Sequence, residues 1–201
     1  MIRVLLADDE TLIRDALASL LELDEGLEVV GVAASGPEAV AAAARLRPDL
    51  ALLDLQMPGL DGIEAATQIR TVNPACNVVI VTSHGRPGYL KKALAAGVRG
   101  FLPKTVPATT LAQVIRDVHA GGRHVDPQLA AEAIAAGDCP LTPRESDVLE
   151  YAADGSPVEE IALRAHLSPG TVRNYLSSAV AKLGTNNRHE AIRLAQRQGW
   201  I

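Results

Sequence analysis

The sequence has little of what marks several protein classes. Only two cysteines, Cys76 and Cys139, occur in 201 residues, far apart and without metal-ligand spacing. That argues against a disulfide framework and leaves both as ordinary thiols. Aromatic residues make up 2%, too few for modules that stack single-stranded bases on rings. No run approaches the roughly 18 uncharged apolar residues of a membrane span. Arg3, Asp8 and Asp9 interrupt the N-terminus before a signal-peptide pattern develops, so a soluble, cytoplasmic protein without membrane insertion is expected. What is abundant is aliphatic: 48% of residues are hydrophobic and 21% charged, enough for one large core or two smaller ones.

Residues 1–121 alternate short apolar runs with amphipathic stretches, the signature of an α/β domain. The runs at 4–7, 29–33, 50–53, 78–81 and 100–102 are continuously apolar, as parallel strands covered on both faces should be. Leu12, Ile13, Ala16, Leu17, Leu20 and Leu21 recur at helical spacing, and like patterns fill 37–46, 63–72, 89–96 and 109–120. Five strands and five helices are expected. Gly121-Gly122 stops the last helix, and Asp126-Pro127 starts a short Ala-rich helix ending near Gly137, so 122–139 reads as a linker.

Four helix starts follow within 140–201, an all-α domain. Thr142-Pro143-Arg144-Glu145 and Ser156-Pro157-Val158-Glu159 each place a hydroxyl at the cap, Pro first and Glu third. Ser168-Pro169 opens the third helix, and Asn187 with Glu190 the fourth. Charge divides this domain. Residues 139–160 set one Arg against six carboxylates, net -5, and residues 161–201 set six cations against Glu190, net +5. The basic half holds the third helix, an electrostatic footprint for phosphates.

Chemistry gathers at strand ends. Asp8 and Asp9 follow the first strand, Asp54 the third, Thr82 ends the fourth and Lys104 follows the fifth. In an open parallel sheet of order 2-1-3-4-5 these ends share one edge, so the three carboxylates converge. An Asp after a strand is commonly a cap or turn former, but joint placement at four strand ends marks a site. Acidic oxygens without Cys or His partners suit a hard cation, for which Mg²⁺ is the natural occupant. On the third helical-domain helix, Val172, Leu176, Ala179, Val180 and Leu183 form the core face, and Asn174, Ser177 and Ser178 point away between Arg173 and Lys182.

The stretches Leu6-Ala7-Asp8-Asp9-Glu10, 53–62 from Leu53-Asp54 to Asp61-Gly62, Val81-Thr82-Ser83 and Phe101-Leu102-Pro103-Lys104 resemble the receiver pattern of two-component response regulators. Glu160-Ile161-Ala162, 167–176 and Lys182-Leu183-Gly184 resemble the LuxR-type helix-turn-helix of the NarL/FixJ subfamily. The resemblance implies a flavodoxin-like (βα)5 receiver at 1–121 and a four-helix DNA-binding domain at 140–201. It implies that Asp54 accepts a phosphoryl group from a sensor histidine kinase. Asp9, Asp54 and the Gln56 carbonyl would ligate Mg²⁺, with Asp8 acting through water; Lys104 and Thr82 would meet the phosphoryl oxygens, and Phe101 would act as the switch aromatic, swinging inward. Gln56 and His84 occupy positions that in this family influence how fast water reaches the acyl phosphate. Arg173, Asn174 and Ser177 would face bases of double-stranded promoter DNA, and Thr171 and Lys182 its phosphates, in a homodimer formed on phosphorylation. Segments 85–89 and 97–102 are similar to regulators of membrane-lipid desaturation. The implied protein is a transcription regulator and not an enzyme, beyond slow hydrolysis of its own aspartyl phosphate; Gln56, where dehalogenase-type phosphatases carry a second acid, agrees. The alternative is a phosphorylation-independent DNA-binding or interaction protein using the receiver as a dimerisation module, against which the acidic triad and Lys104 stand.

Overall fold

A computed structural model describes residues 1–83, 87–135 and 139–201, with Pro87 and Pro143 placed by backbone alone. His84, Gly85, Arg86 and Gly137, named above, lie outside the described residues. Contacts divide the chain into two units, with the main cut between Ala131 and Glu132. Among the described residues no helix is long and apolar enough to cross a membrane.

The first unit is a parallel sheet with helices between its strands. In chain order it runs β1 (Ile2–Ala7), α1 (Thr11–Glu22), β2 (Leu27–Ala33), α2 (Gly36–Leu46), β3 (Leu50–Asp54), α3 (Gly62–Val72), β4 (Asn77–Thr82), α4 (Pro87–Ala95), β5 (Gly100–Pro103) and α5 (Ala108–His119). A two-residue strand, β6 (His124–Val125), then pairs with Gly100 and Phe101. The strand order is β2-β1-β3-β4-β5-β6, and every pairing is parallel. The expected linker therefore begins inside the sheet. Asp126 then caps α6 (Pro127–Ala135), its carboxylate accepting from the Gln128 and Leu129 amides.

The central strands β1, β3 and β4 are covered on both faces. On one, Val4, Leu6, Leu50, Leu52, Val79 and Val81 meet Leu21 of α1 and Leu111, Ile115 and Val118 of α5. Each such aliphatic side chain contributes about 1.5 to 3 kcal/mol on burial. Two expectations change. β2 is an edge strand, so its run is not covered throughout, and Val32 is 53% exposed. On α1 only Leu21 is buried; Ile13 and Leu17 are half-buried, while Leu12, Ala16 and Leu20 are exposed. The helix reaches the sheet along a narrow line, and the rest of its apolar face meets solvent.

Local signals fix the helix ends. Asp61 caps α3 in a reciprocal box with Glu64, and Ser35 caps α2. Gly62, first in α3, has no room for a side chain, because a Cβ there would overlap the Asp54 carbonyl oxygen. This contact fixes the end of β3.

The second unit holds α7 (Pro143–Tyr151), α8 (Val158–Ala165), α9 (Pro169–Lys182) and α10 (Arg188–Gln198). Val148, Leu149, Ile161, Val172, Leu176, Ala179, Ile192 and Ala195 form its core. Thr142 and Glu145 make the expected capping box, and Ser168 and Asn187 cap α9 and α10. Ser156 does not cap α8. Pro157 is extended there and the helix starts at Val158, which moves Glu159 to the second helical position and leaves its carboxylate free of a capping role.

Gly62→Ala is expected to lower stability by about 1 to 3 kcal/mol through overpacking. The shift of the urea unfolding midpoint at unchanged slope measures it.

Candidate functional site

The parallel register brings the strand ends to one edge: Ala7 stands beside Leu53, Asp54 beside Val81 and Thr82 beside Pro103. Asp8, Asp9 and Asp54 follow from it. Their carboxylate oxygens lie within 4.8 Å of one another, with Asp8 and Asp54 buried and Asp9 exposed. Lys104 Nζ stands 2.8 Å from Asp8 Oδ2, 3.3 Å from Asp54 Oδ2 and 3.4 Å from Glu10 Oε1, with its side chain 9% exposed. Asp8 Oδ1 accepts from the Glu10 amide at 2.9 Å. The buried Asp8 Oδ2 has the Lys104 ion pair but no hydrogen bond of good geometry among the described residues, which leaves it acceptor capacity toward the cluster. Three convergent carboxylates, two of them buried, against one ammonium are an oxygen donor set with spare negative charge, which fits a divalent cation.

Electrostatics follow from that imbalance. Burial raises the Asp54 pKa above the ordinary value and Asp8 adds to the rise, while Lys104 draws it partly back. Burial works against the Lys104 ammonium, but Asp8 and Asp54 more than offset it, so its pKa is raised. Asp54 is thus a carboxylate held at electrostatic cost, which added positive charge relieves. It faces an open cleft of about 200 Å³ lined by Asp9, Glu10, Asp54, Gln56 and Ser83.

Thr82 is buried at the end of β4, and its carbonyl accepts from the Lys104 amide at 2.8 Å. Phe101 is fully buried. Its ring packs in the core of the first unit. Glu10 and Ser83 belong to the cleft although the sequence reading gave them no role. Their signal was adjacency to Asp9 and Thr82 at the same strand ends.

In the second unit, α9 buries Val172, Leu176 and Ala179, and Arg173, Asn174, Ser177 and Lys182 are exposed. Thr171 is half-buried, its hydroxyl 2.8 Å from that of Ser168. Ser178 does not point away from the domain: its hydroxyl donates to Glu145 Oε1 at 2.6 Å. Lys182 Nζ donates to Glu145 Oε2 at 2.7 Å, and the same oxygen accepts from the Thr142 amide. Lys182, expected on DNA phosphate, has its charge largely compensated within the domain. Burial pushes the Glu145 carboxyl up, but Lys182, Ser178 and Thr142 outweigh that and bring its pKa from 4.5 to about 2. Arg173 Nη2 donates to Glu159 Oε1 at 3.1 Å. In the sequence Glu145 and Glu159 were legible only as capping residues and as members of the acidic half.

Residues 4–116 match the family model for the response regulator receiver domain, and 139–195 that for bacterial regulatory proteins of the luxR family. The chain is a response regulator. It is 40% identical to the transcriptional regulatory protein DesR of Bacillus subtilis, over 201 residues and the whole of both chains. It is 39% identical over 203 residues to the response regulator RamR of Streptomyces coelicolor, covering 100% of this chain and 98% of that one. A solved complex of the response regulator RcsB with DNA is 26% identical, covers 98% of each chain and gives a TM-score of 0.66. Another structure, of two RcsB dimers bound to two parallel DNAs, is 25% identical with a TM-score of 0.67 over 98% of each chain. The regulator thus pairs a receiver with a NarL/FixJ-like DNA-binding domain; it is a transcription regulator and not a conventional enzyme.

Glu145 supplies a pH test. A depressed carboxyl pKa contributes stability that is complete above pH 4.5 and is lost as pH falls toward about 2. Glu145→Gln is expected to cost about 1 to 3 kcal/mol at neutral pH and to remove that part of the acid-induced loss. Urea unfolding at several pH values, followed by the single Trp200 that packs on the helical core, measures both.

Proposed function

We propose that this response regulator is switched by phosphorylation of Asp54 and that the phosphorylated form binds promoter DNA as a dimer in the cytoplasm. The observation that carries the reading is Lys104 bridging Asp8 and Asp54 beside an open acidic cleft. Residues 1–121 act as the receiver, 122–139 connect, and 140–201 bind DNA.

An Asp54 oxygen attacks the phosphorus of a sensor kinase's phosphohistidine. The new P–O bond forms an acyl phosphate as the P–N bond breaks, and the imidazole leaves with that electron pair and takes a proton from solvent. Asp8, Asp9, Asp54 and the Gln56 carbonyl would hold Mg²⁺, which supplies charge neutralisation for the transfer. Lys104, already between the two buried carboxylates, turns its ammonium to the arriving phosphoryl oxygens, and the Thr82 hydroxyl turns toward them. Phe101, packed inward, limits how far Thr82 can retreat. Gln56 borders the path of water to the acyl phosphate.

Dimerisation falls to the uncovered face of α1 and α5. Leu12 and Leu23 are 83% and 81% exposed, and a groove of about 280 Å³ is lined by Leu20, Leu23, Asp24, Ala108, Thr109 and Ala112. Apolar surface of this kind on a monomer is an association site. Two DNA-binding units held together gain affinity by effective concentration on paired half-sites. Arg173, Asn174 and Ser177 face bases, and Thr171 faces phosphate. Lys182 reaches phosphate only while sharing its charge with Glu145, which favours a gentle salt dependence.

Asp54→Ala is expected to lose labelling by radioactive acetyl phosphate with Mg²⁺, and to remain monomeric in sedimentation with beryllofluoride where the wild type dimerises. Continued labelling would falsify the assignment of Asp54; equal dimerisation and DNA affinity without a phosphodonor would favour the phosphorylation-independent alternative. Arg173→Ala and Asn174→Ala are each expected to cost about 1 to 3 kcal/mol on a matching duplex and to alter base preference. Fluorescence anisotropy on duplexes varied one base pair at a time reads both quantities.

A further inference from the structure

Both basic residues of α9 are engaged by acids from the preceding helices, in two different ways. Lys182 at the C-terminal end is tied to Glu145, whose side chain is 6% exposed and also holds Ser178 and the α7 cap. That pair is part of the domain's packing. Arg173 near the N-terminal end meets Glu159 of α8 at 3.1 Å, and both side chains are largely in solvent, 60% and 67% exposed. No core forms around this second pair. Glu159 also lacks the capping role its position suggested, because α8 starts at Val158.

We infer that Glu159 is an affinity-setting residue: its carboxylate occupies Arg173 in the DNA-free regulator, as an internal stand-in for nucleic acid, and is displaced when α9 enters the groove. The inference rests on the reading of α9 as the DNA-contacting helix. A guanidinium presents a fork of donors that suits a carboxylate, a phosphate or the guanine O6/N7 edge. Glu159 competes for that fork and also places a negative charge beside incoming phosphates.

The opposite possibility is that Glu159 holds Arg173 in the orientation DNA requires, so that its loss would weaken binding. Magnitudes favour competition. A single contact between two exposed, long side chains does little to fix either. A unit charge next to the DNA backbone acts over a Debye length of about 8 to 10 Å. The exchange also lowers the net charge each unit brings to DNA, which flattens the salt dependence. Each unit binds less tightly by itself, so occupancy depends more strongly on two units being linked.

Full-length chains titrated with a short duplex, selected by the wild type from a randomised pool, test this over a range of salt concentrations. Glu159→Gln is expected to bind about two- to fivefold more tightly, with a log affinity against log salt slope steeper by about one per unit. Glu160→Gln removes a charge from the same helical turn, where no ion pair forms among the described residues, and is expected to gain less than Glu159→Gln. In an Arg173→Ala background the gain from Glu159→Gln should shrink to the level of Glu160→Gln. Unchanged or weaker binding by Glu159→Gln, or an equal gain with and without Arg173, overturns the inference while leaving α9 as the reading helix. If Arg173→Ala binds the selected duplex as the wild type does, the reading of α9 fails and the inference fails with it.

Discussion

The receiver unit depends on one charge balance, the Lys104 ammonium set against Asp8 and Asp54 at the carboxyl edge of the sheet. Two buried carboxylates a few ångströms apart repel each other, and desolvation penalises each of them. A single ammonium offsets part of that cost and leaves a net negative site. The remainder is what makes the edge chemically useful: it fits a divalent cation, beside an open cleft that Asp54 lines. The surrounding fold serves this arrangement. Close approach of Gly62 to the Asp54 carbonyl fixes the end of β3, and pairing of Thr82 with Pro103 carries Lys104 to the same edge.

The helical unit handles charge differently. Glu145 is a nearly buried acid whose acceptor capacity is used by Thr142, Ser178 and Lys182, so its negative charge is balanced and serves packing. Its hydrogen bonds join the start of α7 to the far end of α9 and limit rotation of the latter about its axis. The Glu159–Arg173 pair uses the same chemical groups in solvent, where the bond is weak and exchangeable. Burial alone separates the two cases: it makes the first pair structural and leaves the second open to replacement by an outside anion.

Apolar surface shows a similar division. The alanine-rich α2 and α3 bury Ala39, Ala43, Ala65 and Ala66 completely, which lets helices approach the sheet closely. The leucines of α1 and of the residue that follows it are larger and more numerous than the line of contact requires, so Leu12, Leu20 and Leu23 remain outside. A helical repeat of leucines records amphipathicity but not which molecule supplies the covering surface.

The order of strands and helices, the triad, Thr82, Lys104 and the core of α9 were legible in the sequence, because continuous apolar runs, the 3.6-residue period and residues at strand ends are local properties. The caps at Thr142, Ser168 and Asn187 belong to the same class. Only the tertiary structure decided the rest. β6 at His124–Val125 is too short to carry a periodicity, and it exists because β5 offers a free edge. The failure of Ser156 as a cap follows from the extended conformation of Pro157, which the motif does not encode. Pairing of Glu145 with Lys182 and of Glu159 with Arg173 spans 37 and 14 residues and depends on how three helices pack. Charge counts gave an acidic half and a basic half, but an ion pair requires two side chains to meet in space, and that is set by the core beneath them.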